Sequence, residues 1–205
     1  MKSVSTIETN LTTPGEPLHS AEAMQAFTAA ATDLLCQFEQ EACAAAATVE
    51  RVPRSAEHLA AAVRRVAPEA RRIAIAEPLD LSPELFASCR ALPGIVHERT
   101  KEALSSLDVG ITDTFAGVAR TGSICVCVDH EYSGSISLLA RLHIAVLAAE
   151  MIVERPRDLL RSDCLEGKGL KRNFVFITGP SATADMGPLV RGVHGPHRLH
   201  IVVLV

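Results

Sequence analysis

From Arg72 onward, short apolar runs alternate with stretches that carry helix-start signals, and this alternation restricts the chain to few folds. The runs are Arg72-Ile73-Ala74-Ile75-Ala76, Asp108-Val109-Gly110-Ile111-Thr112, Leu142 to Leu147, Phe174 to Thr178 and Leu199 to Val205, with a weaker one at Ile95-Val96-His97. Between them, Ser82-Pro83-Glu84 supplies an N-cap, a proline at the first helical position and a first-turn acid. Lys101 to Leu107 and Arg155 to Arg161 read as short helices. Gly117 to Val128 differs: two β-rich pieces flank Arg120-Thr121-Gly122, which predicts a hairpin. Strands alternating with helices, plus one hairpin, predict an α/β domain with a mixed sheet flanked by helices.

The first third of the chain has another character. Residues 1–17 are rich in Thr, Pro and Ser and read as a flexible arm. Ser20-Ala21-Glu22 opens a helical stretch expected to run to about Glu50, with Phe27, Leu34, Leu35 and Phe38 near helical spacing. Ser55 N-caps a second helix through Val66. Residues 18–70 are thus expected to form a helical extension packed on an α/β domain at 71–205.

Composition excludes several functions. Aromatic residues make up only 3% of the 205 residues and Trp is absent, so no stacking platform for single-stranded nucleic acid is expected. The net charge of −4 and the lack of a basic stripe argue against duplex binding. The start of the chain is polar, and no apolar run reaches the roughly 18–20 residues of a spanning helix, so a cytoplasmic protein is expected. The six cysteines, Cys36, Cys43, Cys89, Cys125, Cys127 and Cys164, form no C-x-x-C pair and read as small buried hydrophobes. No G-x-G-x-x-G or G-x-x-x-x-G-K-[ST] follows a strand. His197 and His200 fall on opposite faces of the last strand, against a zinc site. Asp129-His130-Glu131 reads as solvated loop charge. No metal or cofactor is therefore expected.

Candidate chemistry gathers in loops that follow strands, where open α/β sheets bind ligands. Asp113-Thr114 follows one strand, and Thr121-Gly122 forms the hairpin turn. The segment Gly179-Pro180-Ser181-Ala182-Thr183-Ala184-Asp185 follows a strand expected to be buried. There Ser181 is expected to cap a short helical turn, leaving free N–H groups for an anion, with the Ser181 and Thr183 hydroxyls beside them. The alternative reading is a capped loop with satisfied hydroxyls. His194 and Gly195, in the turn Gly192-Val193-His194-Gly195-Pro196, are expected to share that pocket with Thr121 and Gly122. Arg120 would serve as counter-charge, and Asp185 would orient the loop. No G-x-S-x-G elbow accompanies Ser181, which argues against a Ser-His-Asp hydrolase.

Taken together, "GIT" at Gly110 to Thr112, "ARTGS" at Ala119 to Ser123, "GPSATAD" at Gly179 to Asp185 and "GVHGP" at Gly192 to Pro196 occur in an order that resembles the lactate-utilisation (LUD) domain family. The likeness covers roughly residues 70–205. It implies a phosphosugar isomerase/CoA-transferase-like fold. It also implies an accessory role in oxidising L-lactate to pyruvate, with iron–sulfur partner subunits supplying the redox centres and a small anionic ligand bound by this chain. The alternatives are a stand-alone enzyme on an acyl or phosphorylated small molecule, or a non-catalytic anion-binding regulator. The sequence departs from the family pattern twice: Arg120 stands where an acidic residue commonly precedes Thr-Gly, and Asp185 continues as Met186-Gly187-Pro188 where Asp-Ile-Glu is common.

Overall fold

The computed structural model describes residues 21–128, 130–161, 173–184 and 187–205. The first described element is the long helix α1 (Ala21–Ala44), which ends earlier than its sequence predicts. Thr48-Val49-Glu50-Arg51-Val52 is not helix but strand β1 (Thr48–Val52), as its β-branched residues favour. Helix α2 (Ala56–Val66) follows, and the Ser55 hydroxyl accepts the His58 N–H as its N-cap. Next come β2 (Ile73–Ile75), a 3₁₀ turn (Pro83–Phe86) capped by Ser82, α3 (Ala87–Arg90) and α4 (Lys101–Ser105). Ile95 forms only an isolated bridge to Ile73. The remaining elements are β3 (Val109–Asp113), the hairpin β4 (Ala116–Val118) and β5 (Ser123–Cys127), α5 (Ser133–Leu139), β6 (Leu142–Ala148), β7 (Ile152–Val153), α6 (Pro156–Arg161), β8 (Phe174–Ile177), β9 (Ala182–Thr183), β10 (Val190–Arg191) and β11 (Arg198–Leu204).

These strands divide into two principal layers. The first is a five-stranded parallel sheet in the order β1-β11-β6-β3-β2. Its central strands β3 and β6 are buried along their whole length, as parallel strands covered on both faces must be. One face packs Val109, Ile111, Ile144 and Val202 against Leu59 and Val63 of α2 and against Phe86 and Cys89. The other packs Leu147, Ile201 and Val203 against Leu35 and Phe38 of α1 and Ile124 of β5. The segment before residue 70 therefore contributes an edge strand to this sheet as well as helices.

The second layer is a four-stranded sheet in the order β7-β4-β5-β8. It is mixed: β4–β5 and β5–β8 are antiparallel, β4–β7 parallel. The hairpin expected around Arg120-Thr121-Gly122 lies here. Strand β8 is an edge strand, not the buried strand its composition suggests, because among the described residues only β5 pairs with it. Val175 and Phe176 are about 40% exposed as a result. The Phe174 ring meets the edge of Phe115 at 5.1 Å between centroids. Among the described residues no helix is long and apolar enough to cross a membrane. Cys89, Cys125 and Cys127 are buried as expected, Cys43 is exposed, and Cys164 lies outside the described residues.

Candidate functional site

The helical turn expected after Pro180 does not form. Ala182-Thr183 is instead the short strand β9, paired antiparallel with Val190-Arg191 of β10. The small β-ribbon takes up the backbone groups that a helical turn would have left free. Ser181 joins this ribbon to the second turn by three hydrogen bonds. Its N–H donates to Pro196 O at 2.9 Å, and its carbonyl accepts Gly192 N–H at 2.9 Å. Its Oγ accepts the His194 N–H at 3.3 Å. The two Gly/Pro turns of the sequence are thus zipped onto one serine.

The zipped turns form one wall of a cavity of about 560 Å³. Gly179, Pro180, Ser181, His194 and Gly195 line it together. Val175, Phe176 and Ile177 of β8 form a second wall, and Ser137 and Leu138 of α5 a third. At the base stand Leu199 and His143, on one rung of the parallel sheet. Among the described residues that line it there is no Asp, Glu, Lys or Arg. Such a mostly apolar enclosure with a few polar groups is the usual form of a small-molecule site. A larger and more open groove of about 620 Å³ runs past Pro68, Arg141, His197 and Arg198 at the amino ends of the strands. It contains none of the residues proposed from the sequence to bind a ligand, so the smaller cavity is the stronger candidate.

The other sequence-predicted residues lie elsewhere. Asp113 is buried at the carboxyl end of β3, three rungs along the sheet from the His143 level. Its Oδ2 accepts the N–H groups of Leu79, Asp80 and Leu81 at 2.8, 2.7 and 3.2 Å. Burial pushes its carboxyl above the usual range, and these three donors oppose that shift. Its task here is to hold the 79–81 loop. Arg120 is exposed on the hairpin turn, with its N–H bonded to Glu154 O. Gly122 (φ +61°) and Gly179 (φ +75°) both press on the end of α1: an added Cβ would lie 2.1 Å from Ala42 N and 2.0 Å from Ala45 O, respectively. Thr121 reaches the cavity rim only through a chain of hydroxyls, Thr121 Oγ1 to Ser123 Oγ at 2.7 Å and on to Thr178 Oγ1 at 2.6 Å. Thr183 sits in β9, and Asp185 lies outside the described residues.

His143 escaped the sequence reading. A lone histidine in the apolar run Leu142 to Leu147 reads as a core residue, and no pattern in the run marks it. It is fully buried, its Nε2 lies 2.9 Å from Thr112 Oγ1, and its Nδ1 has no partner among the described residues. Burial lowers its pKa to about 3, so the ring is neutral at ordinary pH.

A family model described as the LUD domain matches residues 35–204. The chain belongs to the LUD domain family. Among curated relatives, lactate utilization protein C of Bacillus subtilis is 34% identical over 103 residues, 48% of this chain and 42% of that protein. Lactate utilization protein C of Oceanobacillus iheyensis is 32% identical over 101 residues, 47% of this chain and 43% of that one. An uncharacterized protein of Neisseria meningitidis is 28% identical over 105 residues, 51% of this chain and 45% of that one. The matched stretches thus span less than half the length of these relatives. A crystal structure of a DUF162 family protein from Deinococcus radiodurans has the same fold, with a TM-score of 0.65 at 22% identity over 85% of this chain and 98% of that one. The LUD-domain match starts inside α1 and includes β1, in keeping with the place of β1 in the sheet.

Proposed function

We propose that this LUD-domain chain is an accessory component of L-lactate utilisation, working beside iron–sulfur subunits that carry the electrons while it holds a small organic ligand. The cavity on which the Ser181 and His194 turns converge carries the ligand half of this reading. The lactate half is supported by the relatives named lactate utilization protein C. The assignment of redox work to partners is supported by the cysteine spacing, which forms no C-x-x-C pair and no ferredoxin-type run.

The small anion anticipated from the sequence finds no Lys or Arg on the cavity's described lining, so the ligand is expected to have a largely apolar body. That lining also favours a second reading, a stand-alone enzyme on an acyl compound, over action on a phosphorylated one. Deletion of the gene, followed by growth on L-lactate as sole carbon source, separates the two. Loss of growth restored by the wild-type gene, together with co-purification of iron–sulfur proteins with the tagged chain, is expected. Unimpaired growth on L-lactate would overturn the accessory role.

A further inference from the structure

The buried pair Thr112–His143 determines what the cavity asks of its ligand. Thr112 is fully buried, and His143 Nε2 at 2.9 Å is its hydroxyl's one partner among the described residues. A buried hydroxyl must give its proton to an acceptor, and here that acceptor is Nε2. A neutral imidazole that accepts at Nε2 carries its own proton on Nδ1. Nδ1 is the nitrogen left without a partner among the described residues, on a side chain that lines the cavity. The site therefore holds a buried N–H donor that needs an acceptor. Leaving such a buried donor unmade is costly, so a ligand that supplies the acceptor is favoured over one that does not.

The surroundings narrow the acceptor. Val175, Phe176, Leu138 and Leu199 give the walls an apolar character, and no Lys or Arg stands among the described lining residues. A carboxylate would enter without a counter-charge and lose its hydration. An uncharged carbonyl loses far less.

We propose that His143 Nδ1–H donates a hydrogen bond to an uncharged carbonyl oxygen, of the thioester, amide or quinone kind, on a ligand whose apolar body fills the cavity. This rests on the reading of the cavity as the ligand site, and it adds the donor atom and the ligand class. The Ser137, Thr178 and Ser181 hydroxyls lie along the same lining for the ligand's remaining polar atoms.

The test uses the full chain labelled with ¹⁵N-histidine and ¹³C-methyl groups. The probes are S-hexanoyl-N-acetylcysteamine, menadione and, as the charged control, hexanoate. Long-range ¹H–¹⁵N spectra of the free protein at pH 7 should show His143 neutral with its proton on Nδ1. A proton on Nε2 would overturn the proposal without any ligand. A carbonyl probe should shift His143 Nδ1 and the Leu138 and Leu199 methyls, and hexanoate, whose carboxylate loses its hydration in the apolar cavity, should bind at least about tenfold more weakly. Whether the thioester or the quinone binds better identifies the source of the carbonyl. Thr112→Val should release the tautomer preference and weaken carbonyl binding by a similar factor, and His143→Phe should weaken carbonyl binding likewise where it folds. Methyl shifts without movement of Nδ1, or equal affinity in Thr112→Val, would sink the His143 role while leaving the cavity as the ligand site. If no probe moves the Leu138 and Leu199 methyls, both the proposal and the reading of the cavity fall.

Discussion

Ser181 and His194 stand 13 residues apart in the chain, and the hydroxyl of the first accepts the backbone N–H of the second at 3.3 Å. This bond keeps the two turns on one side of the cavity. Ser181→Ala is expected to cost about 0.5–1.5 kcal/mol, the net worth of one such bond. Hydrogen exchange checks it more sharply. The His194 amide should exchange faster in the variant, while the Gly192 amide, which donates to the Ser181 backbone carbonyl, should stay protected. Equal acceleration at both would mean that the serine's backbone had lost its place as well.

Gly179→Ala and Gly122→Ala test how the two turns seat on α1. Each position combines positive φ with a Cβ that would fall about 2 Å from the backbone at Ala45 or Ala42. Either substitution should destabilise by about 2 kcal/mol or more. In a chain of this size that lowers the melting temperature by about 2–4 °C per kcal/mol. A neutral result in calorimetry would show that α1 does not rest on these turns.

Stability should fall as pH drops below neutral. Burial depresses both His143, to about 3, and His200. Their folded forms stay neutral where the unfolded side chains, near 6.5, take up protons. The unfolded state therefore binds more protons below about 6.5, and stability declines at up to about 1.4 kcal/mol per pH unit for each histidine. For His143 the decline ends near its folded value of about 3. Asp113 acts in the opposite sense, because its raised carboxyl takes up a proton in the folded state first. Urea midpoints from pH 7.5 to 4.5 measure the net slope. Thr112→Val leaves His143 in place, whereas a folded His143→Phe variant should show the shallower dependence.

How far these features were legible in the sequence follows from what each residue's neighbours demand. Ser55 and Ser82 cap helical turns where their own chemistry predicts, and the strands at Ile73, Val109, Leu142 and Leu199 announce themselves by apolar runs. Strand β1 was hidden because Ala-rich α1 runs into it with only Ala45 to Ala47 between, and its partner β11 lies some 150 residues away. Helix α5, with the sequence Ser-Gly-Ser-Ile-Ser-Leu-Leu, starts on Ser, Gly and Ile, weak helix formers, with Leu only in its last two places. It is held by packing on β3, by the Ser133 hydroxyl on Cys127 O and by left-handed Tyr132 before it. The meeting of Ser181 with His194 follows from their turn chemistry. The separation of Asp113 from them depends on strand direction and face, which only pairing reveals.

Removal of residues 1–52 tests the boundary of the folded unit. It would strip β1 from β11 and remove Leu35, Phe38 and Ala42 from the packed face of the sheet. An exposed edge next to uncovered Ile201 and Val203 is an aggregation template. The truncated chain is expected to be insoluble, or unfolded by circular dichroism. A soluble monomer with the parent's melting temperature would show that the α/β core is complete without this segment.

The central claim is that the cavity between β8, α5 and the Ser181–His194 turns is where this LUD-domain chain holds its ligand. A crystal structure of the full chain at saturating S-hexanoyl-N-acetylcysteamine tests it most directly. The account predicts the acyl chain against Leu138, Val175 and Leu199, with its carbonyl oxygen within about 3 Å of His143 Nδ1. Density for the probe in the Arg141–Arg198 groove, with the Ser181 cavity left empty, would contradict it.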